Sequence, residues 1–575
     1  VILMHWEYSS LPQTLIDTKA AQWKKNRLLT TLLLNRGFED EKKADEFISP
    51  KISDFRDPFK FEKMEKVVDK ILEKREKKEK VFIYGDYDVD GITAAVFLVL
   101  VFRNIGIEVD YYIPNRMEEG YGLDKKTIDF INTKNGKLVI TVDTGVNSIE
   151  DVKYAESLGI DVIVTDHHKS IKEEEDDHLL LLNPKLSDTY EFKYLSGAGV
   201  ALKVAQGIYQ KLKIDIKALY QYMDIVMIGT VADVVPMTDE NRIIIKQGLK
   251  ALKKTKVKGL MYLLKYLKFQ NKTINTTDVS YFISPLINSL GRIGISKMGA
   301  DFFLKEDDFE IYNIIEEMKK SNKKRRELEK NIYDEANQEI AKIGIKNLKC
   351  IFLSSEKWHP GVIGVVSSRL SVKYNIPVTL IAFKDGIGKA SCRSVKGISV
   401  FNIFQKMSEK LVRFGGHDLA AGFIVKSENL EEVKNIFKTS IENIKIEKEK
   451  KSLKIDAEYS IENIDEDMFE TMESISPYGL ENPHPLFIDR DLSFENIKKF
   501  GVDERHFNGI IRKNGKNYHM VAFDLGHKIN EIESKIQKFD IVYYPEKTLY
   551  RGEEIFQIRI KDIKIKDDFY EIFTK

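Results

Sequence analysis

The chain has little cysteine: Cys350 and Cys392 are the only two in 575 residues, far apart and without CxxC spacing. Neither a disulfide framework nor a thiolate zinc site is expected, and a reducing cytoplasm is the natural setting. An excess of charge of one sign is also missing, since 91 Lys and Arg face 90 Asp and Glu. A nucleic-acid partner would therefore need a local basic surface. Long apolar runs are missing too. The longest, Ile92 to Phe102, falls short of the ~20 residues of a membrane span, and the start VILMHWEY has no basic n-region. Neither a membrane partner nor export is expected. No internal repeat occurs, and the short Lys/Glu runs read as solvated helix faces.

What is present is material for folding: 43% hydrophobic, 31% charged and 10% aromatic residues. A chain this long exceeds one hydrophobic core and implies roughly two to four packed units. A helical opening of mixed charge is expected over residues 1–65. VFIYG (Val81 to Gly85), KLVITVDTG (Lys137 to Gly145) and DVIVTDHH (Asp161 to His168) read as buried strands separated by helix-compatible sequence. They predict an α/β unit with a parallel sheet over 66–300, its ligand beyond the carboxyl ends of the strands. The segment 301–345 is highly charged, with Ile311, Ile314, Ile315 and Met318 at helical spacing, and reads as a long connecting helix. KCIFLSS and PVTLIAF (Pro377 to Phe383) predict a smaller α/β unit over 346–450, closed by the lysine-rich KIEKEKKSLK. Residues 451–575 alternate more cleanly and carry the hairpin signal Asn514-Gly515, which fits a C-terminal β-barrel of the OB type.

The chemistry is concentrated at the strand ends. YGDYDVDG places Asp86, Asp88 and Asp90 two apart directly after a strand, so one turn can aim several carboxylates at one point. Such charges repel unless cations hold them, and carboxylates with imidazole suit Mg²⁺ or Mn²⁺, two ions being a common device for phosphoryl transfer. DxDxDG also resembles part of a calcium loop, although the later glutamate and the two flanking helices are missing; a loop that only caps the following helix is the bland alternative. Against both stand Asp143 in TVDTG and Asp166, His167 and His168 in VTDHH, at two further strand ends. Asp233 in IGTVADVVPM adds a carboxylate that would be costly to bury without a partner.

YGDYDVDG, TVDTG, TDHH and ADVVP resemble, in order and spacing, the four motifs of the DHH phosphoesterase superfamily. The resemblance implies that Asp86 and Asp88 hold one ion, that Asp90, His167 and Asp233 hold a second, and that Asp143 bridges them. His168 would contact the scissile phosphate and Asp166 would orient an imidazole. Tyr84 stands where some members have a histidine ligand. WHPGVIGVVSSRL and GGHDLAAGF resemble the DHHA1 domain that follows in this superfamily. There Gly415 and Gly416 would allow close backbone approach to a phosphate and His417 would donate to it; a tight turn is the alternative reading.

Arg292 in LINSLGRIG and Ser391 and Arg393 in KASCRSVKG correspond to segments that line a pocket for a terminal 5′ phosphate in RecJ-type exonucleases, with Arg116 a further candidate. Leu286, Ile287 and Cys392 depart from the pattern of that pocket. SPYGLENPHPLF (Ser476 to Phe487) resembles the stretch that joins the DHHA1 unit to the OB-like domain in the same proteins. Tyr518, His519, Phe523, Tyr543, Tyr544 and Tyr550 supply aromatics for stacking, about half of them expected in the barrel core. The resemblance thus implies a single-strand-specific 5′ to 3′ DNA exonuclease that uses two Mn²⁺ or Mg²⁺ ions and partners a single-strand-binding protein and a RecQ-type helicase. An oligoribonuclease or cyclic-dinucleotide phosphodiesterase on the same centre, and a non-catalytic nucleic-acid-binding relative, are the rivals.

Overall fold

The computed structural model describes residues 4–116, 119, 122–170, 179–344, 348–442, 444, 452–501, 504–529, 538–550 and 553–565. The lysine-rich run at 445–451 and the side chain of Tyr550 lie outside the described residues. The chain divides into two compact units, residues 52–447 and residues 1–51 together with 448–575.

In the larger unit, β1 (Lys80–Gly85), β2 (Val109–Tyr112), β3 (Gly136–Val142), β4 (Asp161–Thr165) and β5 (Leu180–Leu182) form a parallel sheet in the order β2-β1-β3-β4-β5. The strands read as continuous apolar runs because helices cover both faces. Helix α1 (Val89–Asn104) is apolar on every side and buried along nearly its whole length, packed against α2 (Gly197–Lys211) and α3 (Met223–Ala232). The strand order reverses between β1 and β3, and a crevice opens at such a switch point beyond the carboxyl ends. Asp86 and Asp143 follow those two strands.

Helix α4 (Ser284–Ile293) leads towards α5 (Asp308–Ile343), the connecting helix. The amino-terminal half of α5 buries Ile311, Ile314, Ile315 and Met318 in the core of the parallel-sheet domain; its other half buries Ile332, Ala336 and Ile340 with Trp358, Val362 and Val366. One rigid helix so serves two cores. The second domain is a mixed sheet of β6 (Ile351–Ser355), β7 (Val378–Lys384), β8 (Ile387–Arg393), β9 (Arg413–Gly416) and β10 (Ala420–Lys426), ordered β9-β10-β8-β7-β6. Only β6 and β7 run parallel; the other neighbours are antiparallel.

In the smaller unit, strands Phe487–Phe500, His506–Lys513, Lys516–Ala522, Glu553–Ile565 and Phe539–Tyr550 pair in that order, and pairing of Phe487 with Tyr543 closes the barrel. Asn514 and Gly515 take φ of 46° and 80° in the two-residue turn between Lys513 and Lys516, the left-handed geometry that the dipeptide favours. The amino-terminal strand His5–Tyr8 pairs in parallel with Ser452–Ile455. Ile16, Trp23, Leu32 and Leu33 of the first helices share a core with Ile461, Phe487 and Leu492. No helix among the described residues is long and apolar enough to cross a membrane.

Candidate metal centre and anion pocket

The six acidic and histidine side chains expected to hold metal converge. Their ligand atoms form overlapping groups, each within 4.8 Å: Asp86, Asp88 and Asp143; Asp90, His167 and Asp233; and Asp143, His167 and His168. Asp143 is common to the first and third. His167 Nε2 lies 2.9 Å from Asp143 Oδ1, 3.6 Å from Asp233 Oδ2 and 3.9 Å from Asp90 Oδ2. The backbone is forced to present them: Asp143 has φ 61°, and Val234, next to Asp233, has φ 59°, costly for a β-branched residue and typical of strain kept at functional sites. Asp88 also caps α1, accepting from the N–H groups of Asp90 and Gly91, as the capping reading expects.

The electrostatics call for cations. Burial and the neighbouring Asp88 push Asp86 well up and Asp90 up to about 7. Burial and repulsion from Asp90 likewise raise Asp143 and Asp233. His167 is held well below its usual value by burial and by His168, so its imidazole is neutral and fit to ligate. Asp86 Oδ1 and His167 Nε2 are buried with no hydrogen-bond partner among the described residues. Oxygen-rich donors with one or two imidazoles suit Mn²⁺ or Mg²⁺, and the overlap at Asp143 suits a pair of ions.

Asp166 works one step back. It accepts from the Val146, His167 and His168 N–H groups and from His168 Nδ1 at 2.7 Å. Against the opposing effect of burial, these contacts hold Asp166 down at about 2 and His168 up at about 9, leaving an oriented, charged imidazole.

The second domain reaches this centre. The His417 ring stacks on His168 with centroids 5.4 Å apart and planes 9° from parallel, while Lys169 pairs with Asp418 at 3.0 Å. Gly416, at φ 131°, lets the strand pair close: a Cβ there would stand 2.5 Å from Ala421 Cα. A Cβ on Gly415 would meet nothing within 4 Å, so that face of the loop is open to a ligand.

Arg292 and Arg393 each lie within electrostatic reach of Arg116. Arg116 lies over the Tyr87 ring at 4.6 Å, and Gly291 packs against the Tyr87 carbonyl. Arg292 Nη1 donates to the Gly361 carbonyl at 3.0 Å, and Arg393 Nη1 donates to Ser391 Oγ at 3.2 Å and to the Cys392 carbonyl at 2.9 Å. Neither guanidinium has a carboxylate partner among the described residues. Burial and then repulsion from Arg116 and Arg325 lower Arg292 to about 9, and burial lowers Arg393. Confined, unneutralised guanidinium groups are costly to bury alone, and an anion is the kind of group that would satisfy them.

Residues 80–230 match the family model "DHH family, N-terminal domain", residues 347–443 the "DHHA1 domain" and residues 455–562 the "RecJ OB domain". The single-stranded-DNA-specific exonuclease RecJ of Bacillus subtilis is 31% identical over 91% of this chain and 66% of its own length. The Haemophilus influenzae protein of the same name is 27% identical over 94% of this chain and 96% of its own. The chain belongs to the RecJ family.

A structure of RecJ with Mn²⁺ from Thermus thermophilus shares the fold, with a TM-score of 0.82 over 98% of this chain and 80% of that one at 22% identity. A structure of exonuclease RecJ bound to manganese, 28% identical, covers 67% of this chain and 96% of that one with a TM-score of 0.59. Within this RecJ-family fold, Tyr84 is turned away from the metal role: its hydroxyl donates to the Gly122 carbonyl at 2.8 Å and its ring stacks on Tyr112.

Residues that sequence reasoning missed complete the centre. The first N–H groups of α2 grip Asp90, Gly197 at 2.6 Å and Ala198 at 3.0 Å, and a Cβ on Gly197 would stand 2.4 Å from Asp143 Cβ. Asn183 donates to the His168 carbonyl at 2.8 Å. Ser-Gly-Ala-Gly ahead of an apolar helix was the available signal for the first, but backbone donors leave no side-chain signature. Of the barrel aromatics, Tyr518 and Tyr543 are core. Phe523 is exposed beside His506 (5.1 Å), Phe500 (6.0 Å) and Arg559 (5.2 Å).

Proposed function

We propose that this protein hydrolyses single-stranded DNA from the 5′ end, releasing 5′ mononucleotides. The observation that carries the reading is the pair Arg292 and Arg393, carboxylate-free among the described residues and confined, one against Gly361 and the other beside Gly364, with Arg116 over the ring of Tyr87. With Ser391 and Arg116 they would bind a terminal 5′ phosphate and thereby set which phosphodiester meets the cluster. Relatives named as single-stranded-DNA-specific exonucleases support the substrate.

Asp86 and Asp88 would hold one divalent cation and Asp90, His167 and Asp233 a second, with Asp143 shared. When bound, Mn²⁺ or Mg²⁺ would lower the pKa of water and polarise the phosphate. His168, charged and fixed by Asp166, would donate to a phosphate oxygen; His417 and the open side of Gly415 would border the same oxygen. Phe523, His506, Phe500 and Arg559 of the barrel would stack and neutralise bases and backbone of the strand. A single-strand-binding protein and a helicase would supply that strand in the cytoplasm, where the buried free thiols of Cys350 and Cys392 would stay reduced.

The test is digestion of a long single strand labelled at one end, with and without Mn²⁺, alongside a duplex control. Mononucleotides released from the 5′ end, only with metal, support the reading. Survival of long strands while short oligonucleotides or cyclic dinucleotides are cleaved would replace the substrate and keep the centre.

A further inference from the structure

Tyr87 stands between two of the candidate metal ligands, and its backbone is fixed from both sides. The Asp86 N–H donates to the Val142 carbonyl at 3.3 Å, which ties the loop to the end of β3. Asp88 accepts from the Asp90 and Gly91 N–H groups at 2.9 and 3.3 Å, which ties it to the start of α1. Gly91 packs so close that a Cβ there would stand 2.5 Å from the Asp86 nitrogen. A side chain mounted on such a loop cannot shift without moving the carboxylates on either side of it.

The ring and the carbonyl of Tyr87 each meet a segment of the anion pocket. Arg116 lies over the ring with its guanidinium carbon 4.6 Å from the centroid, and that guanidinium makes no ion pair or hydrogen bond among the described residues. A cation in this position is attracted to the negative face of the ring. Independently, Gly291 packs on the Tyr87 carbonyl, where a Cβ would stand at 2.7 Å. The next residue is Arg292, whose Nη1 donates to the Gly361 carbonyl at 3.0 Å. Packing alone accounts for a large apolar residue at position 87, since Tyr87 borders the main core. It does not account for an aromatic face under an arginine that has no polar partner among the described residues.

We propose that Tyr87 is a positioning residue that holds Arg116 by its ring, and Arg292 through Gly291, at a set distance from the candidate metal ligands Asp86 and Asp88. The loop then serves as a ruler: the arginines grip the terminal phosphate, and the phosphodiester that follows meets the cluster. The inference rests on the terminal-phosphate reading of Arg116 and Arg292. It adds a residue that touches neither phosphate nor metal and acts through the two arginines. The physical content is preorganisation, because a long arginine side chain otherwise loses rotamer freedom at the moment of binding.

The experiment measures kcat/KM on 5′-phosphorylated and 5′-hydroxyl single-stranded DNA at saturating Mn²⁺ for wild type, Tyr87→Phe, Tyr87→Leu, Arg116→Gln and the double variant Tyr87→Leu/Arg116→Gln. The Mn²⁺-induced rise in Tm is read for each. Tyr87→Leu is expected to erode the preference for the 5′ phosphate by on the order of 10-fold, with the rise in Tm as in wild type, and Tyr87→Phe to keep the preference. The double variant should lose no more than Arg116→Gln, because the ring acts through that side chain and the Tyr87 carbonyl is untouched. An undiminished preference in Tyr87→Leu or in Arg116→Gln overturns the proposal. So does a double-variant loss that adds to that of Arg116→Gln, or a smaller rise in Tm in Tyr87→Leu, which would make the ring a support of the metal loop. An equal loss in Tyr87→Phe moves the role to the hydroxyl and overturns it as well. Wild type with no preference for the 5′ phosphate strikes the terminal-phosphate reading itself, and the inference with it.

Discussion

His168 and His417 lie face to face, with ring centroids 5.4 Å apart, although one ends a strand of the parallel sheet and the other sits in a hairpin of the second domain. Their neighbours make them unequal. Asp166 holds His168 up at about 9, while burial and the charge on His168 hold His417 down at about 4. The pair therefore carries one positive charge near neutrality and can offer a phosphate both a charged and a neutral donor.

Replacing His417 should accordingly slow catalysis without loosening metal. His417→Ala is expected to reduce kcat by about 10- to 100-fold, a contact of roughly 1.5–3 kcal/mol, with the Mn²⁺ dependence unchanged. Steady-state rates across a Mn²⁺ titration check this; a weakened Mn²⁺ response would make His417 part of the metal site instead.

The crowding of carboxylates gives Asp143 a double effect. Without metal, Asp143→Asn removes a repelling charge and should be at least as stable as wild type. With Mn²⁺ at about 100 times its Kd, wild type should gain about 2.7 kcal/mol, and the variant should lose most of that gain along with its activity. Thermal unfolding in chelator and in Mn²⁺ reads both; destabilisation of the metal-free variant would count against the electrostatic account.

If Arg393 binds a terminal phosphate, then Arg393→Gln should erode the preference for 5′-phosphorylated over 5′-hydroxyl strands, by about 10- to 100-fold. Competition between the two oligonucleotides measures it directly. Equal loss on both strands would assign Arg393 to the general backbone track.

Phe523→Ala should weaken binding of long single strands by about 1–3 kcal/mol and leave cleavage of very short oligonucleotides unaltered, since one stacking partner is removed and none of the candidate catalytic groups is touched. Fluorescence anisotropy with strands of graded length tests this, and a length-independent loss would speak for barrel destabilisation.

His484 offers a pH test in the barrel unit. Its ring lies between Tyr478, at 3.9 Å, and Tyr544, at 4.6 Å, and burial depresses it from 6.5 to about 4. Between those values the unfolded chain binds a proton that the folded chain refuses. This contribution is thus complete above pH 6.5 and falls away as the pH drops towards 4, by about 3 kcal/mol. His484→Phe should flatten that part of the stability profile in denaturant titrations from about pH 4 to 7; an unchanged slope would trace it to other groups.

The sequence by itself determined the α/β framework, the long helix, the hairpin at Asn514-Gly515 and the six acidic and histidine residues of the candidate metal centre. Each is written in local pattern: period-two and apolar strand runs, a 3.6-residue stripe, a dipeptide suited to positive φ, and acidic residues at strand ends. The tertiary structure alone decided how those ends meet. Asp143 stands beside both Asp86 and His167 because β1, β3 and β4 are neighbours in one sheet, a matter of pairing between segments some 20 to 60 residues apart. The grip of Gly197 and Ala198 on Asp90 is made by backbone N–H groups, which every sequence possesses. Residues 1–51 join the barrel through a parallel strand pair with Ser452–Ile455, a contact spanning most of the chain. Arg292 and Arg393 likewise find no carboxylate among the described residues only because the fold brings none to them.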